Sequence, residues 1–88
     1  MISERNLGWS LEIHKSARKL LRKLPRDLAA IEDLPVNPFP VGTQALKGFS
    51  HVYRVRVGDY RIVYPLDQKA RHIRVTHIGH RKHVYRNL

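Results

Sequence analysis

The stretch from His51 to Tyr64 constrains this chain more than any other. HVYRVRV and YRIVY alternate apolar and polar residues with a period of two, and only Gly58 and Asp59 separate them. Such alternation describes strands whose successive side chains point to opposite faces. A two-residue loop with glycine first fits a type II′ turn, which needs a positive φ at that position. A register follows: Val57 opposite Tyr60, Arg56 opposite Arg61, Val55 opposite Ile62, Arg54 opposite Val63 and Tyr53 opposite Tyr64. Paired residues share a face. One face therefore carries Tyr53, Val55, Val57, Tyr60, Ile62 and Tyr64, a core face, and the other carries Arg54, Arg56 and Arg61.

The remaining elements are arranged around this hairpin. Trp9, Leu11 and Ile13 alternate against Ser10, Glu12 and His14, a short strand over Trp9–His14. From Ser16 the period becomes helical: Ala17, Leu20, Leu21, Leu24, Leu28 and Ile31 fall on one stripe, with Arg18, Lys19, Arg22 and Lys23 facing away. Pro25 divides the run into two helices, Ser16–Leu24 and Arg26–Asp33. Ser16 is the expected N-cap, and Pro25 suits the first turn of the second helix. Leu34–Gln44 carries Pro35, Pro38, Pro40 and Gly42 and reads as a stiff extended connector. Arg71–Gly79 reads as one more strand, with Ile73, Val75 and then His77 on one side and the tail HRKHVYRNL as a loop beyond it. The fold class is α+β: an N-terminal strand and a two-helix hairpin packed on one face of an antiparallel-rich sheet of about four strands. At 88 residues, with 42% hydrophobic content, one domain over 1–88 is expected.

Charge narrows the function. The chain holds 17 Lys+Arg against 7 Asp+Glu, a formal +10, and after Asp67 it has no acidic residue. Such a surplus repels itself and calls for nucleic acid, an anionic surface or an acidic protein. With no cysteine there is no disulfide framework, thiol nucleophile or thiolate zinc site, which suits a reducing, cytoplasmic setting. No apolar run approaches the roughly 20 residues of a membrane span, and Met1–Trp9 lacks the apolar core of a secretory signal, so no membrane partner is expected.

Directly opposed arginines destabilise a sheet, and no carboxylate near Arg54, Arg56 and Arg61 in the sequence is placed to relieve them. Guanidinium groups match phosphate oxygens in a bidentate fork, so this face reads as an anion pocket. His77, His80 and His83 recur at intervals of three, but a strand and Gly79 prevent helical convergence, and no carboxylate completes a site, so no metal is expected. His80 and His83 are acid/base candidates near neutral pH. Glycine-rich phosphate loops, Ser/His/Asp sets and carboxylate pairs are absent from the sequence. Catalysis would fall to arginine, histidine and tyrosine, which suits phosphodiester chemistry without a small-molecule cofactor.

LKG at Leu46–Gly48, YRVRVGDYRIVY at Tyr53–Tyr64 and IGHRKHVY at Ile78–Tyr85 resemble the RelE branch of the RelE/ParE toxin superfamily. The likeness covers nearly the whole chain. It implies the toxin half of a toxin–antitoxin pair: a ribosome-dependent endoribonuclease that enters the A site and cuts mRNA without a metal. The ribose 2′-hydroxyl attacks the adjacent phosphate, leaving a 2′,3′-cyclic phosphate and a 5′-hydroxyl. Carried over, Arg61 would stabilise the phosphorane charge, Arg81 would support the phosphate and leaving group, and Tyr85 would orient the nucleotide. Arg56 joins them in the catalytic set, while Lys47, Arg54, His80, Lys82 and His83 would contact RNA. Arg54 and Arg56 stand where some members carry lysine. Arginine is effectively always charged, so a base would have to be Tyr85, His80 or His83, unless the site works by electrostatic positioning. The chain stops three residues after Tyr85, so an acidic antitoxin segment covering the arginine face is expected rather than displacement of a C-terminal helix. Two alternatives stand beside this: a ParE-like toxin that inhibits DNA gyrase without nuclease activity, and a plain basic nucleic-acid-binding domain.

Overall fold

Local sequence preferences resolve into eight elements in the computed structural model, which describes residues 8–82 and 84. Along the chain run β1 (Ser10–Ile13), α1 (Lys15–Leu21), α2 (Pro25–Glu32), β2 (Gln44–Ala45), β3 (Val52–Val57), β4 (Tyr60–Asp67), β5 (His72–Val75) and β6 (His77–His80). The sheet order is β1-β5-β4-β3-β2, with β6 also paired to β4. Only β1 and β5 run parallel; the other pairs are antiparallel. The sheet is thus antiparallel-rich, with more strand segments than the four expected.

The β3–β4 hairpin has the register that alternation gave, from Val57 opposite Tyr60 to Tyr53 opposite Tyr64. Gly58 takes φ +60, while Asp59 does not enter the positive-φ region, as a type II′ turn requires. The core face of the hairpin receives both helices. Ala17, Leu21, Ile31 and Leu34 pack onto Val55, Ile62, Tyr64, Leu66, Ile73, Val75 and Ile78. Burying each large aliphatic side chain of such a set stabilises by roughly 1.5–3 kcal/mol. Tyr64 is fully buried, and its hydroxyl donates to the Pro38 carbonyl at 2.8 Å, fixing the proline-bearing connector over the core. Burial raises the Tyr64 pKa, a Thr43 hydrogen bond opposing it.

Three expectations are corrected. The cap of α1 is His14, whose ring nitrogen accepts the Ser16 N–H at 3.3 Å, so Ser16 lies inside the helix it was expected to cap. The connector ends in β2, with Gln44 opposite Arg54 and Ala45 opposite Tyr53. The last strand is broken at Thr76. Leu66 faces Ile73 and Val63 faces His77, so Tyr64 and Pro65 are matched by Arg74, Val75 and Thr76. Thr76 also donates its N–H to the Val63 carbonyl at 3.1 Å, completing a bulge of one extra residue. The bulge reverses the alternation. Ile78, opposite Ile62, takes the core position, and His77 lies opposite Val63 on the other face. Among the described residues, no helix is long and apolar enough to cross a membrane.

Candidate nucleic-acid interface

The open face of the sheet is built by strand geometry. Arg56 and Arg61 are directly opposed, and Arg54 stands two residues along β3 on the same side. On β6 the residue opposite Arg61 is Gly79, which places no side chain beside the arginines. After β6 the chain turns, and the Arg81 N–H donates to the Asp59 carbonyl at 2.8 Å, tying this turn to the hairpin tip. His80 shapes the same turn, its Nδ1 accepting the Lys82 N–H at 3.2 Å. Arg54, Arg56, Arg61, Arg81 and Lys82 consequently line one open concavity of about 490 Å³.

The electrostatics of this concavity are one-sided. Among the described residues, no carboxylate lies within ion-pair distance of its five cations. Among the described residues, the ion pairs sit at the other end of the same face, where Glu12 meets His72 at 3.1 Å and Arg74 at 3.6 Å. Neutral oxygens hold Arg54 and Arg61 instead. Arg61 donates to the carbonyls of Gly58 and Tyr60 at 3.3 and 3.1 Å, and Arg54 donates to Gln44 Oε1. Neutral acceptors orient a guanidinium without cancelling its charge, so the concavity is preorganised for an external anion. Gln44 was not evident from sequence, because its role depends on the pairing of the two-residue β2 with β3.

Of the other residues singled out in the sequence, Lys47 lies exposed in the loop between β2 and β3 and does not line the concavity. His80 is paired with Tyr60, its ring meeting the tyrosine edge-on with centroids 5.8 Å apart, on the face opposite Arg61. His77 lies near the N-terminus of α1; burial, and then the neighbouring charge of His14, push its pKa below the usual histidine value. Tyr85 and His83 lie outside the described residues. Among those described, no three metal-ligating side chains of histidine, cysteine, aspartate or glutamate converge.

Similar proteins carry the same fold. Residues 11–85 match the family described as "ParE toxin of type II toxin-antitoxin system, parDE". The chain is 36% identical to RelE1 of Methanocaldococcus jannaschii, over 92% of this chain and 99% of that protein. It is 30% identical to Toxin RelG of Mycobacterium tuberculosis, over 91% of this chain and 99% of that one. Its backbone superposes on a crystal structure of an archaeal RelE–RelB complex from Pyrococcus horikoshii OT3 with a TM-score of 0.73 at 28% identity, covering 88% of this chain and 99% of that chain. With the match to the family spanning most of its length, the chain belongs to the RelE/ParE superfamily of type II toxin–antitoxin toxins.

Proposed function

We propose that the chain is a ribosome-dependent mRNA endoribonuclease that inhibits translation from the A site. The observation that carries this reading is the concavity of Arg54, Arg56, Arg61, Arg81 and Lys82, which holds five cations and, among the described residues, no paired carboxylate. In the reaction the 2′-oxygen bonds to phosphorus and gives up its proton, and the bond to the 5′-oxygen breaks as that oxygen gains one. The products are a 2′,3′-cyclic phosphate and a 5′-hydroxyl. Negative charge gathers on the nonbridging oxygens as the phosphorane forms, and the arginines stabilise it there. Arg61 is held by its own hairpin carbonyls, which preorganises its guanidinium for the developing charge, and the backbone of Arg81 is fastened to Asp59 in the adjoining turn. Arg56 completes the cradle, and Arg54 and Lys82 hold flanking phosphates. Four of the five cations are arginines, which bind and polarise but do not accept a proton. Tyr85 and His83 are the proposed partners for proton transfer, and Lys47 an outlying phosphate contact.

The likeness to a RelE–RelB complex supports a cognate antitoxin as partner. An acidic segment laid over the arginine face is the form that the charge favours. Such a complex weakens markedly between low and high salt.

The test uses purified chain and its Arg81→Ala variant with mRNA programmed on ribosomes and with free mRNA, product ends being mapped by primer extension. Ribosome-dependent cuts with 5′-hydroxyl ends are expected, falling a hundredfold or more in the variant, on the order of a lost transition-state donor, with ribosome binding little changed. The ParE description of the matched family favours one other reading, inhibition of DNA gyrase without nuclease chemistry. Absence of cleavage together with loss of gyrase supercoiling establishes that reading instead.

A further inference from the structure

We propose that the tip of the β3–β4 hairpin holds a second nucleotide subsite, a pocket for one guanine base next to the arginine-held phosphate. It rests on the reading of the arginine face as an RNA site and adds to it a place where sequence is read. A cavity of about 350 Å³ lies between the turn joining the helices and the hairpin tip. Leu24 and Pro25 wall it from the helical side, Val57 and Tyr60 from the hairpin, and Lys23, Arg26 and Asp59 supply charged groups. Apolar walls and an aromatic ring of this kind bury the faces of an unstacked base.

Its position gives the cavity meaning. It lies across the hairpin tip from the arginine concavity, Val57 and Tyr60 facing the helices and Arg56 and Arg61 the open side. The Arg61 guanidinium on one side bonds the Gly58 and Tyr60 carbonyls, and the Arg81 N–H bonds the carbonyl of Asp59. A strand that passes round the hairpin tip from a phosphate on Arg61 and Arg81 brings a neighbouring base to this wall.

Asp59 selects the base. Among the described residues its carboxylate has no cation within ion-pair distance, in a chain of formal charge +10. An acceptor-only group lining this pocket beside apolar walls matches a base edge that presents two adjacent donors. Guanine offers N1–H and N2–H in that arrangement, whereas adenine turns the N1 lone pair toward the carboxylate and is repelled. Arg26, whose guanidinium lies 3.8 Å from where a Cβ on Gly58 would stand, supplies a cation for the flanking phosphate.

The test is a titration of the isotope-labelled full chain, followed by NMR, with 2′-O-methyl dinucleotides in which guanine, adenine or uracil flanks one phosphate. These lack the attacking hydroxyl, so binding is read apart from cleavage. The guanine compound is expected to shift Leu24, Val57 and Tyr60 together with the Arg61 and Arg81 side chains, and to bind about tenfold more tightly than the adenine compound. Asp59→Asn, which keeps a turn-compatible residue, is expected to cut that preference to about twofold and leave the arginine shifts in place. Shifts confined to the arginines and equal for every base overturn the subsite but leave the phosphate site standing. A guanine preference that survives Asp59→Asn overturns the role of Asp59, and silence at both places overturns subsite and RNA site together.

Discussion

Arg61 faces the concavity with the same guanidinium that holds the carbonyls of Gly58 and Tyr60. A lysine there keeps the charge and loses the planar fork, so it cannot serve two carbonyls and a phosphate at once. Arg61→Lys is therefore expected to slow cleavage on programmed ribosomes by at least about tenfold while changing ribosome binding little. Period-two spacing made Arg54, Arg56 and Arg61 legible as one face, since strand geometry alone sends alternate residues to the same side. It could not show what orients them, because Gln44 reaches Arg54 only through a pairing made by backbone groups. His77 carries a consequence for stability. Burial and His14 depress its folded-state pKa below the unfolded value of 6.5, so the unfolded chain binds more protons as the solution turns acid. The stability that neutral His77 contributes is complete above about pH 6.5 and is lost as pH falls toward its folded-state value. Melting curves at pH 7 and pH 5 are expected to differ more for the native chain than for His77→Gln.

The hairpin turn is the element on which the site depends, since Arg61 and the Arg81 turn both hang from its carbonyls. Gly58→Ala is expected to destabilise by about 1–2 kcal/mol, measured by urea unfolding, because an L side chain is strained at φ +60. Crowding plays little part, the nearest neighbour of the added Cβ being Arg26 at an ordinary 3.8 Å. Turn and register could be read from Gly58-Asp59 and its flanking alternation because a two-residue loop leaves one way to pair the strands. The bulge at Thr76 could not, because strict alternation continues through Ile73, Val75 and His77, and only the competing fit of Ile78 beside Ile62 breaks it. The cap of α1 was missed for a related reason. Serine is the commoner cap, but β1 pairs with β5 through Ile13 and fixes His14 at the turn into the helix.

At the scale of the molecule, charge is divided across one sheet face. Among the described residues, the Glu12 carboxylate on β1 meets His72 and Arg74 on β5, and cations without a carboxylate gather on β3, β4 and the turn after β6. For a single-stranded RNA engaging all five cations, log K against log salt is expected to fall with a slope of about −3.5, and each Arg→Ala substitution to lessen it by about 0.7. A slope near zero, read by fluorescence anisotropy with an uncleavable RNA, excludes phosphate binding by this face. The topology also has a temporal consequence. Among the described residues β1 pairs with β5 alone, with Ser10 bonded to His72 across 62 positions of sequence, and the cationic cradle is not closed until Arg81 and Lys82 are in place. A chain emerging N-terminus first from the ribosome that makes it cannot seat β1 until β5 has cleared the exit tunnel, nor complete the cradle until Arg81 and Lys82 have followed.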